Sequence, residues 1–226
     1  MSQLALPLQL ADHAVFESFH ASGNETLVAT LLRLSSGEAG EGCWLFGAPA
    51  TGKTHLLQAV CDKAGDRSVY LPLEMLGELG AGALEGLADR GLVCIDDIDR
   101  VAGDNAWEIA LFKLFNELYE SGGQLVVAAS VPPRECGLLL ADLASRMSRL
   151  PVFQLHSLDE AQRVAALQLR ATHRGLELPD DTAAYLLKRS RRDMASLYEL
   201  LDKLDHEALR AQRRLTIPFV RDVLND

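Results

Sequence analysis

The eight-residue run Gly47–Thr54 constrains the fold of this chain more than any other feature of its sequence. Its letters, GAPATGKT, match the phosphate-loop pattern G-x-x-x-x-G-K-S/T. The apolar run Cys43–Phe46 before it predicts a strand, and the residues from Thr54 to Ala64 predict a helix that ends at Gly65. A strand that passes through such a loop into a helix is the opening unit of a parallel α/β fold.

The phosphate loop predicts nucleotide binding. Its glycines let backbone N–H groups surround a phosphate at the positively polarised start of the following helix. Lys53 is placed to reach the β- and γ-phosphates, and Thr54 to bind Mg²⁺ through its hydroxyl. A glycine-rich turn without a ligand is the alternative, but it does not explain the strand before the loop and the helix after it. The residues expected to contact ADP or ATP are Gly47, Ala48, Pro49, Ala50, Thr51, Gly52, Lys53, Thr54 and His55.

Further short apolar runs predict strands at Ser68–Leu73, Leu92–Asp96, Leu125–Ala129 and Val152–Leu155. These runs are apolar on both faces, and helical patterns such as Trp107–Tyr119 separate them. Strands of this kind are typical of a parallel sheet that helices cover on both sides. We therefore predict an α/β core with a five-stranded parallel sheet over residues 23–156.

Only helical patterns follow from residue 157 onward. Ser157 and Glu160 predict a capping box at the start of a first helix, which runs toward Gly175. Further helices are predicted to begin near Pro179, Asp193 and Thr216. Residues 157–226 are therefore expected to form a helical lid, and residues 1–22 an N-terminal peptide and linker.

Two carboxylates, Asp96 and Asp97, follow the apolar residues of the third predicted strand. At the carboxyl end of a parallel strand beside the phosphate loop, Asp96 is placed to hold Mg²⁺ through water. Asp97 is placed to orient or deprotonate an attacking water. An aspartate that merely begins a turn is the alternative for each of them, and the neighbouring phosphate loop favours the metal site.

Charge and composition exclude several classes of protein. The chain has 22 basic and 32 acidic residues and a net charge of −10, which argues against free-standing binding to nucleic-acid phosphates. It has no apolar run of about 18 residues and no signal peptide, so we expect a cytoplasmic protein without a membrane segment. The cysteines and histidines have no metal-ligand spacing, which argues against a zinc site, and three of the four cysteines have apolar surroundings that favour buried reduced thiols. The four cysteines are Cys43, Cys61, Cys94 and Cys136.

The order of these features resembles that of the AAA+ ATPases. A phosphate loop, a strand that ends in paired acids, a polar residue after the next strand, an arginine near a fifth strand and a helical lid follow one another. The resemblance implies that Ser130 is sensor I. Arg146, in the run DLASR, resembles the arginine finger of the bacterial replication-initiator branch. Arg192 resembles sensor II, with the adjacent Arg191 as the alternative.

Within that branch the chain is most similar to the DnaA-related regulators of the Hda family. The segment Asp96–Asp104 followed by Trp107 and Glu108, and the run Leu215–Val220, resemble the corresponding segments of that group. The chain ends after the lid, where an initiator would add a DNA-binding domain, so no direct sequence-specific DNA binding is expected. The run QLALPL resembles a peptide that docks on the sliding clamp, through Gln3, Leu4, Leu6, Pro7 and Leu8.

This resemblance implies a regulator that is held on the clamp with ADP bound. It would present Arg146 to ATP on a DnaA-type initiator, stimulate hydrolysis there and so prevent re-initiation; self-association is compatible with this activity. Most AAA+ ATPases carry a glutamate where this chain has Asp97. Because the aspartate is one methylene shorter, we expect tight nucleotide binding and weak intrinsic hydrolysis.

Alternatives remain at both the segment and the protein level. Phe16 and Phe19 precede the core in a segment that packs near adenine in this branch, and we assign Phe16 to the base, with plain core packing as the alternative. A frayed or core-docked terminus is the alternative to the clamp peptide. A small-molecule P-loop kinase would need a substrate-binding lid, which the predicted bundle does not suit. A helicase loader should bind single-stranded DNA, which the net charge of −10 disfavours.

Overall fold

The computed structural model describes residues 14–189 and 193–225. These residues form two compact units. The first comprises Asn24–His156 together with the described residues before Glu17, and the second comprises Glu17–Gly23 together with the residues from Ser157 onward.

A five-stranded parallel sheet forms the centre of the first unit, which confirms the predicted sheet. The strand order is β2-β3-β4-β1-β5. All residues of β3 and β4 are buried, because helices cover these strands on both faces and β2 and β1 lie outside them. The strands are β1 (Gly42–Phe46), β2 (Ser68–Pro72), β3 (Leu92–Asp96), β4 (Gln124–Ala129) and β5 (Val152–Gln154).

Helices connect these strands in the predicted alternation. They are α1 (Glu25–Ser35), α2 (Lys53–Ala64), α3 (Leu73–Leu76), α4 (Asn105–Ser121) and α5 (Ala141–Met147). The longest, α4, begins where the side chain of Asp104 accepts hydrogen bonds from the amides of Ala106 and Trp107, and it ends at Gly122 in the left-handed conformation. The glycine-interrupted stretch after β2 forms the short α3 and several 3₁₀ turns rather than one long helix.

In the second unit, the described residues from Glu160 onward form helices and no strand, as predicted for the lid. Leucines and other apolar residues from all of its helices pack into one core. No helix in the two described ranges has both the length and the apolar character that a bilayer span requires. The helices are α6 (Glu160–His173), α7 (Asp180–Arg189), α8 (Met194–Ala211) and α9 (Ile217–Asn225).

The capping box of α6 lies two residues from its predicted position. The Asp159 carboxylate accepts a hydrogen bond from the Gln162 amide at 2.8 Å, and the Gln162 side chain accepts one from the Asp159 amide at 2.9 Å. The prediction that Ser157 and Glu160 form this box was therefore wrong. Both pairs match the sequence pattern, but Asp159 is the last residue with extended backbone before the helix, so its carboxylate reaches the free amides.

The four cysteines are buried and free, whereas the sequence predicted buried thiols for only three of them. Burial raises the pKa of Cys43 and of Cys136 to about 12. A thiol with such a pKa stays protonated at neutral pH, which makes it a poor nucleophile and a poor metal ligand.

Gly42 lies at the start of β1, where the backbone of this strand passes very close to that of β4. Its φ is 119°, and a Cβ at this position would lie 1.8 Å from the carbonyl oxygen of Leu125. We predict that Gly42→Ala lowers the free energy of unfolding by at least about 2 kcal/mol, because either β1 must move or the backbone must be strained. Urea denaturation measures the loss.

Gly77 provides the matched control. Its φ is −52°, and a Cβ there would have no heavy atom within 4 Å. Gly77→Ala should keep the wild-type stability or raise it by about 0.4–1 kcal/mol. An equal urea midpoint for Gly42→Ala and the wild type would contradict the close approach of β1 to β4.

Candidate nucleotide-binding site

The carboxyl ends of β1, β3 and β4 bring the predicted site residues to one edge of the sheet. Phe46 of β1 lies level with Ala129 of β4, and Ile95 of β3 lies level with Val127 of β4. The phosphate loop therefore follows β1, Ser130 follows β4 and Asp96 ends β3, at one edge of the sheet with β4 in the middle. This edge is where ligands bind in open α/β sheets.

The phosphate loop folds around its own lysine. The Lys53 ammonium donates hydrogen bonds to the carbonyl oxygens of Gly47 at 2.9 Å and Ala48 at 3.2 Å. Ala50 and Gly52 have φ values of 59° and 101°, which turn the chain tightly before α2. A Cβ on Gly47 would lie 2.7 Å from the carbonyl oxygen of Leu155, so the loop passes too close to this backbone for a larger residue.

The amides at the start of α2 suit a phosphate. In the described part of the chain, the N–H groups of Thr51, Gly52, Lys53 and Thr54 have no hydrogen-bond acceptor. They stand at the positive end of the helix dipole, beside the Lys53 ammonium. An anion with several oxygen acceptors would satisfy them, which is the chemistry of a nucleotide β-phosphate.

Asp96 suits a magnesium ion. Its residue surface is 1% exposed, and its Oδ2 accepts a hydrogen bond from the Tyr70 hydroxyl at 2.9 Å. Its Oδ1 is buried and has no hydrogen-bond partner among the described residues. Buried carboxylate oxygens are normally satisfied, and a water of a Mg²⁺ hydration shell would satisfy this one.

Sequence reasoning did not identify Tyr70, which lies on β2. The register pairs it with Cys94, two residues before Asp96 on the neighbouring strand. Burial raises the pKa of Tyr70 well above its usual value, and the negative charge of Asp96 raises it further, so the hydroxyl remains a donor. Only knowledge that β2 pairs with β3 would have drawn attention to this tyrosine.

Asp97 has a strained backbone and an elevated pKa. Its φ and ψ are 55° and 46°, in the left-handed region that aspartate tolerates better than most residues. Burial raises the pKa of Asp97 to about 6, and the charges of Asp96, Asp99 and Glu74 act in the same direction. The Lys53 ammonium opposes this shift, which agrees with a position beside the phosphate loop.

The hydroxyl of Ser130 already has a hydrogen-bond partner within the chain. It donates a hydrogen bond to Oδ2 of Asp99 at 2.6 Å, and the Ser130 amide lies 3.4 Å from Oδ1 of the same residue. Asp99 follows β3 by three residues, so it joins the end of β3 to the end of β4. The sequence analysis included Asp99 only in the segment Asp96–Asp104 that resembles the family and assigned it no role.

The segment before α1 reaches the helix that follows the phosphate loop. Nε2 of His55 lies 2.9 Å from the carbonyl oxygen of Val15, which can only accept a hydrogen bond. Val15 directly precedes Phe16, which is half-buried. Two predicted nucleotide contacts, His55 and Phe16, therefore lie in segments that are joined to each other.

Arg146 lies on α5, in the connection between β4 and β5. Its side chain is half-buried, and its guanidinium carbon lies 6.0 Å from the centre of the Phe115 ring on α4. It makes no ion pair and no side-chain hydrogen bond with any residue in the two described ranges. An arginine is charged at every physiological pH, so this charge is available to a group from outside the unit.

Some predicted site residues lie outside the described residues. They are the two sensor II candidates and the five contacts of the clamp peptide, namely Arg191, Arg192, Gln3, Leu4, Leu6, Pro7 and Leu8. Their roles stay predictions.

The Tyr70–Asp96 hydrogen bond generates a prediction about stability. We expect Tyr70→Phe to lower the free energy of unfolding by about 1–3 kcal/mol, because a buried carboxylate would lose its donor. Urea denaturation at neutral pH measures this loss. Tyr119→Phe is the control, since that residue is 53% exposed and should change stability by less than about 0.5 kcal/mol. Equal losses for the two variants would contradict the structural role of the bond.

Two stretches of the chain match known protein families. Residues 85–151 match the family described as "Bacterial DnaA ATPAse domain", and residues 159–224 match the family described as "Hda, lid domain". The first stretch contains β3, α4, β4 and α5, and the second contains α6 to α9. The protein is therefore DnaA/Hda-like in both its core and its lid.

Solved structures with the same fold include replication initiators and a motor. Domain III of the Thermotoga maritima replication initiation protein DnaA is 22% identical with a TM-score of 0.77, over 96% of this chain and 98% of that chain. AMPPCP-bound DnaA from Aquifex aeolicus is 23% identical with a TM-score of 0.65, over 85% of this chain and 65% of that chain. The Thermotoga maritima RuvB Holliday junction branch migration motor is 18% identical with a TM-score of 0.64, over 90% of this chain and 68% of that chain. The predicted fold, an α/β AAA+ core with a helical lid, is confirmed.

Proposed function

We propose that this protein is a nucleotide-binding regulator of replication initiation, which stimulates ATP hydrolysis on a DnaA-type initiator. The observation that carries the proposal is the match of residues 159–224 to the Hda lid, next to the match of residues 85–151 of the core to the DnaA ATPase domain. A lid of this type on a core of this type favours a relative of the initiator over a small-molecule kinase. The same combination of lid and core favours a regulator of the initiator over a helicase loader.

The phosphate loop would hold ADP or ATP. The free amides of Thr51–Thr54 and the Lys53 ammonium would bind the phosphates, and Thr54 with Asp96 would hold Mg²⁺. The ion would neutralise phosphate charge and orient the phosphate oxygens. One neighbour with the same fold is a DnaA bound to AMPPCP, which supports nucleotide binding.

The protein's own hydrolysis would be weak. Asp97 is one methylene shorter than the usual glutamate, so its carboxylate would lie farther from an attacking water. Displacement of a catalytic group by about 1 Å can lower a rate by about 10²-fold. The hydroxyl of Ser130 is bound to Asp99, so it would have to leave this partner to contact a phosphate. Together these features favour a bound nucleotide that serves mainly as a structural ligand.

Arg146 would act on the nucleotide of the initiator. An arginine supplied by a neighbouring subunit stabilises the charge that develops on a transferring phosphoryl group, and it can raise the rate by about 10³–10⁵-fold. The absence of a carboxylate partner for Arg146 in the described ranges supports this role, because no ion pair must break first.

Residues 3–8 would hold the protein on the sliding clamp. The run QLALPL suits an extended peptide in an apolar groove, with Gln3 as its polar anchor. Binding through a clamp would also explain how a chain with a net charge of −10 reaches DNA, since its own phosphate affinity should be low.

Substitution of Arg146 tests the proposed function. We predict that Arg146→Ala lowers clamp-dependent ATP hydrolysis by a DnaA-type initiator by about 10³-fold, because the transition state loses its positive charge. The measurement is phosphate release from initiator-bound ATP in the presence of clamp-loaded DNA. Arg149→Ala is the control, since Arg149 is exposed and lies three residues after Arg146, beyond the end of α5.

Both variants should bind ADP as the wild type does. Full stimulation by Arg146→Ala would disprove its role as the arginine finger. The same assay without initiator gives the intrinsic turnover, and a rate equal to that of a fast AAA+ motor would disprove the expectation for Asp97.

Deletion of residues 3–8 tests the clamp contact separately. We predict that the truncated protein no longer binds the sliding clamp in a pull-down but binds ADP and unfolds as the full chain does, because the peptide precedes the core. Replacement of Leu6 and Leu8 by alanine should weaken the same interaction by removing its apolar contacts. Retention of the clamp by the truncated protein would show that another surface is responsible.

A further inference from the structure

Glu108 on α4 is a buried glutamate that binds backbone groups from the turn just before its own helix and from a segment about 30 residues later. Its residue surface is 1% exposed. Its carboxylate accepts hydrogen bonds from the amide of Gly103 at 2.7 Å and from the amide of Leu139 at 3.0 Å. It also accepts one from the amide of Leu140.

These three amides stabilise the ionised carboxylate. Burial by itself disfavours the charge, but the hydrogen bonds from Leu139, Leu140 and Gly103 outweigh it and hold the pKa of Glu108 below its usual value. A charged acceptor inside the protein binds its donors more strongly than a neutral one does. The segment around Leu139 and Leu140 is therefore fixed to α4.

The fixed segment leads directly into the helix that carries Arg146. Leu140 is the residue before α5, and its carbonyl oxygen accepts the first hydrogen bond of the helix from the Ala144 amide. Its apolar side chain cannot cap the helix. Glu108 binds the Leu140 amide from another helix. It thereby sets the point and the direction from which α5, only seven residues long, begins.

Helix α4 also supports the other end of α5. Phe115 lies seven residues after Glu108, which is two helical turns along the same face. Its ring lies beneath the Arg146 guanidinium, with 6.0 Å between the guanidinium carbon and the ring centre. One face of α4 therefore contacts α5 both before its first residue and at Arg146.

We propose that Glu108 is a positioning residue for Arg146. By fixing the start of α5 it fixes the direction of the guanidinium toward the phosphate of a partner's nucleotide. This inference rests on the proposed function of Arg146, and it adds a residue that touches neither the partner nor the nucleotide.

Glu108→Gln tests the proposal, because it keeps the size of the side chain but removes its charge and one acceptor oxygen. The variant should bind ADP with the wild-type stoichiometry. The maximal rate of initiator hydrolysis that it stimulates should fall about 10- to 100-fold, since Arg146 would be misplaced. The protein concentration for half-maximal stimulation should stay near the wild-type value, because the docking surface is intact. Hydrogen exchange of the Leu139 and Leu140 amides in the isolated protein should accelerate about ten-fold.

Glu117→Gln is the matched control. Glu117 lies on the same helix and forms only a partly exposed ion pair with Lys113 at 3.7 Å. This variant should match the wild type in stimulated rate and in amide exchange.

The outcomes separate the inference from the function on which it rests. Wild-type stimulation by Glu108→Gln, beside a loss with Arg146→Ala, would overturn the role of Glu108 alone. Full stimulation by Arg146→Ala would overturn the proposed function and the inference with it. If Glu108→Gln also loses ADP binding, Glu108→Asp decides, because it keeps the charge with a shorter reach. It should bind ADP fully and stimulate at an intermediate rate; wild-type stimulation, or a joint loss of both properties, would overturn the proposal.

Discussion

The parallel pairing of β1 and β3 with β4 is the constraint on which the candidate site depends. It makes three strands end at one edge, so the phosphate loop, Ser130 and Asp96 meet although up to 83 positions separate them in the sequence. The pairing in turn requires Gly42, where the backbone of β1 approaches Leu125 too closely for any side chain. A shift of register would move each side chain of β3 and β4 to the opposite face of the sheet, which is also buried and packed, and it would displace the loop from the acids.

Buried or half-buried carboxylates join the elements around this edge. Asp96 binds the Tyr70 hydroxyl of β2, and Asp99 binds Ser130 after β4. Glu108 binds the amides that precede α5. Each of these acids accepts a hydrogen bond from an element distant in sequence, so part of the acidic excess of the chain serves the structure. The charge of −10 is therefore not only a property of the surface.

The sequence was sufficient for the elements and for the residues that follow a motif. The strand, loop and helix around Gly47–Thr54 could be predicted because local pattern determines them, and Asp96 because it ends an apolar strand. Tyr70 and Glu108 could not be assigned, since their roles depend on which strands and helices are neighbours. The start of α6 was misplaced because two overlapping pairs fit the same capping pattern, and only the backbone conformation at Asp159 distinguishes them.

The nucleotide site and Arg146 differ in whether their polar groups already have partners within the chain. At the phosphate loop, Lys53 and Ser130 already have partners within the chain, so a nucleotide must replace existing bonds. Arg146 instead lies over an aromatic ring and makes no ion pair among the described residues, although the chain has ten more acidic than basic residues. An ion pair at that position would oppose any later contact, because a partly buried pair is costly to break. The Phe115 ring lies near the guanidinium without neutralising it, and this combination suits an arginine whose phosphate comes from another protein.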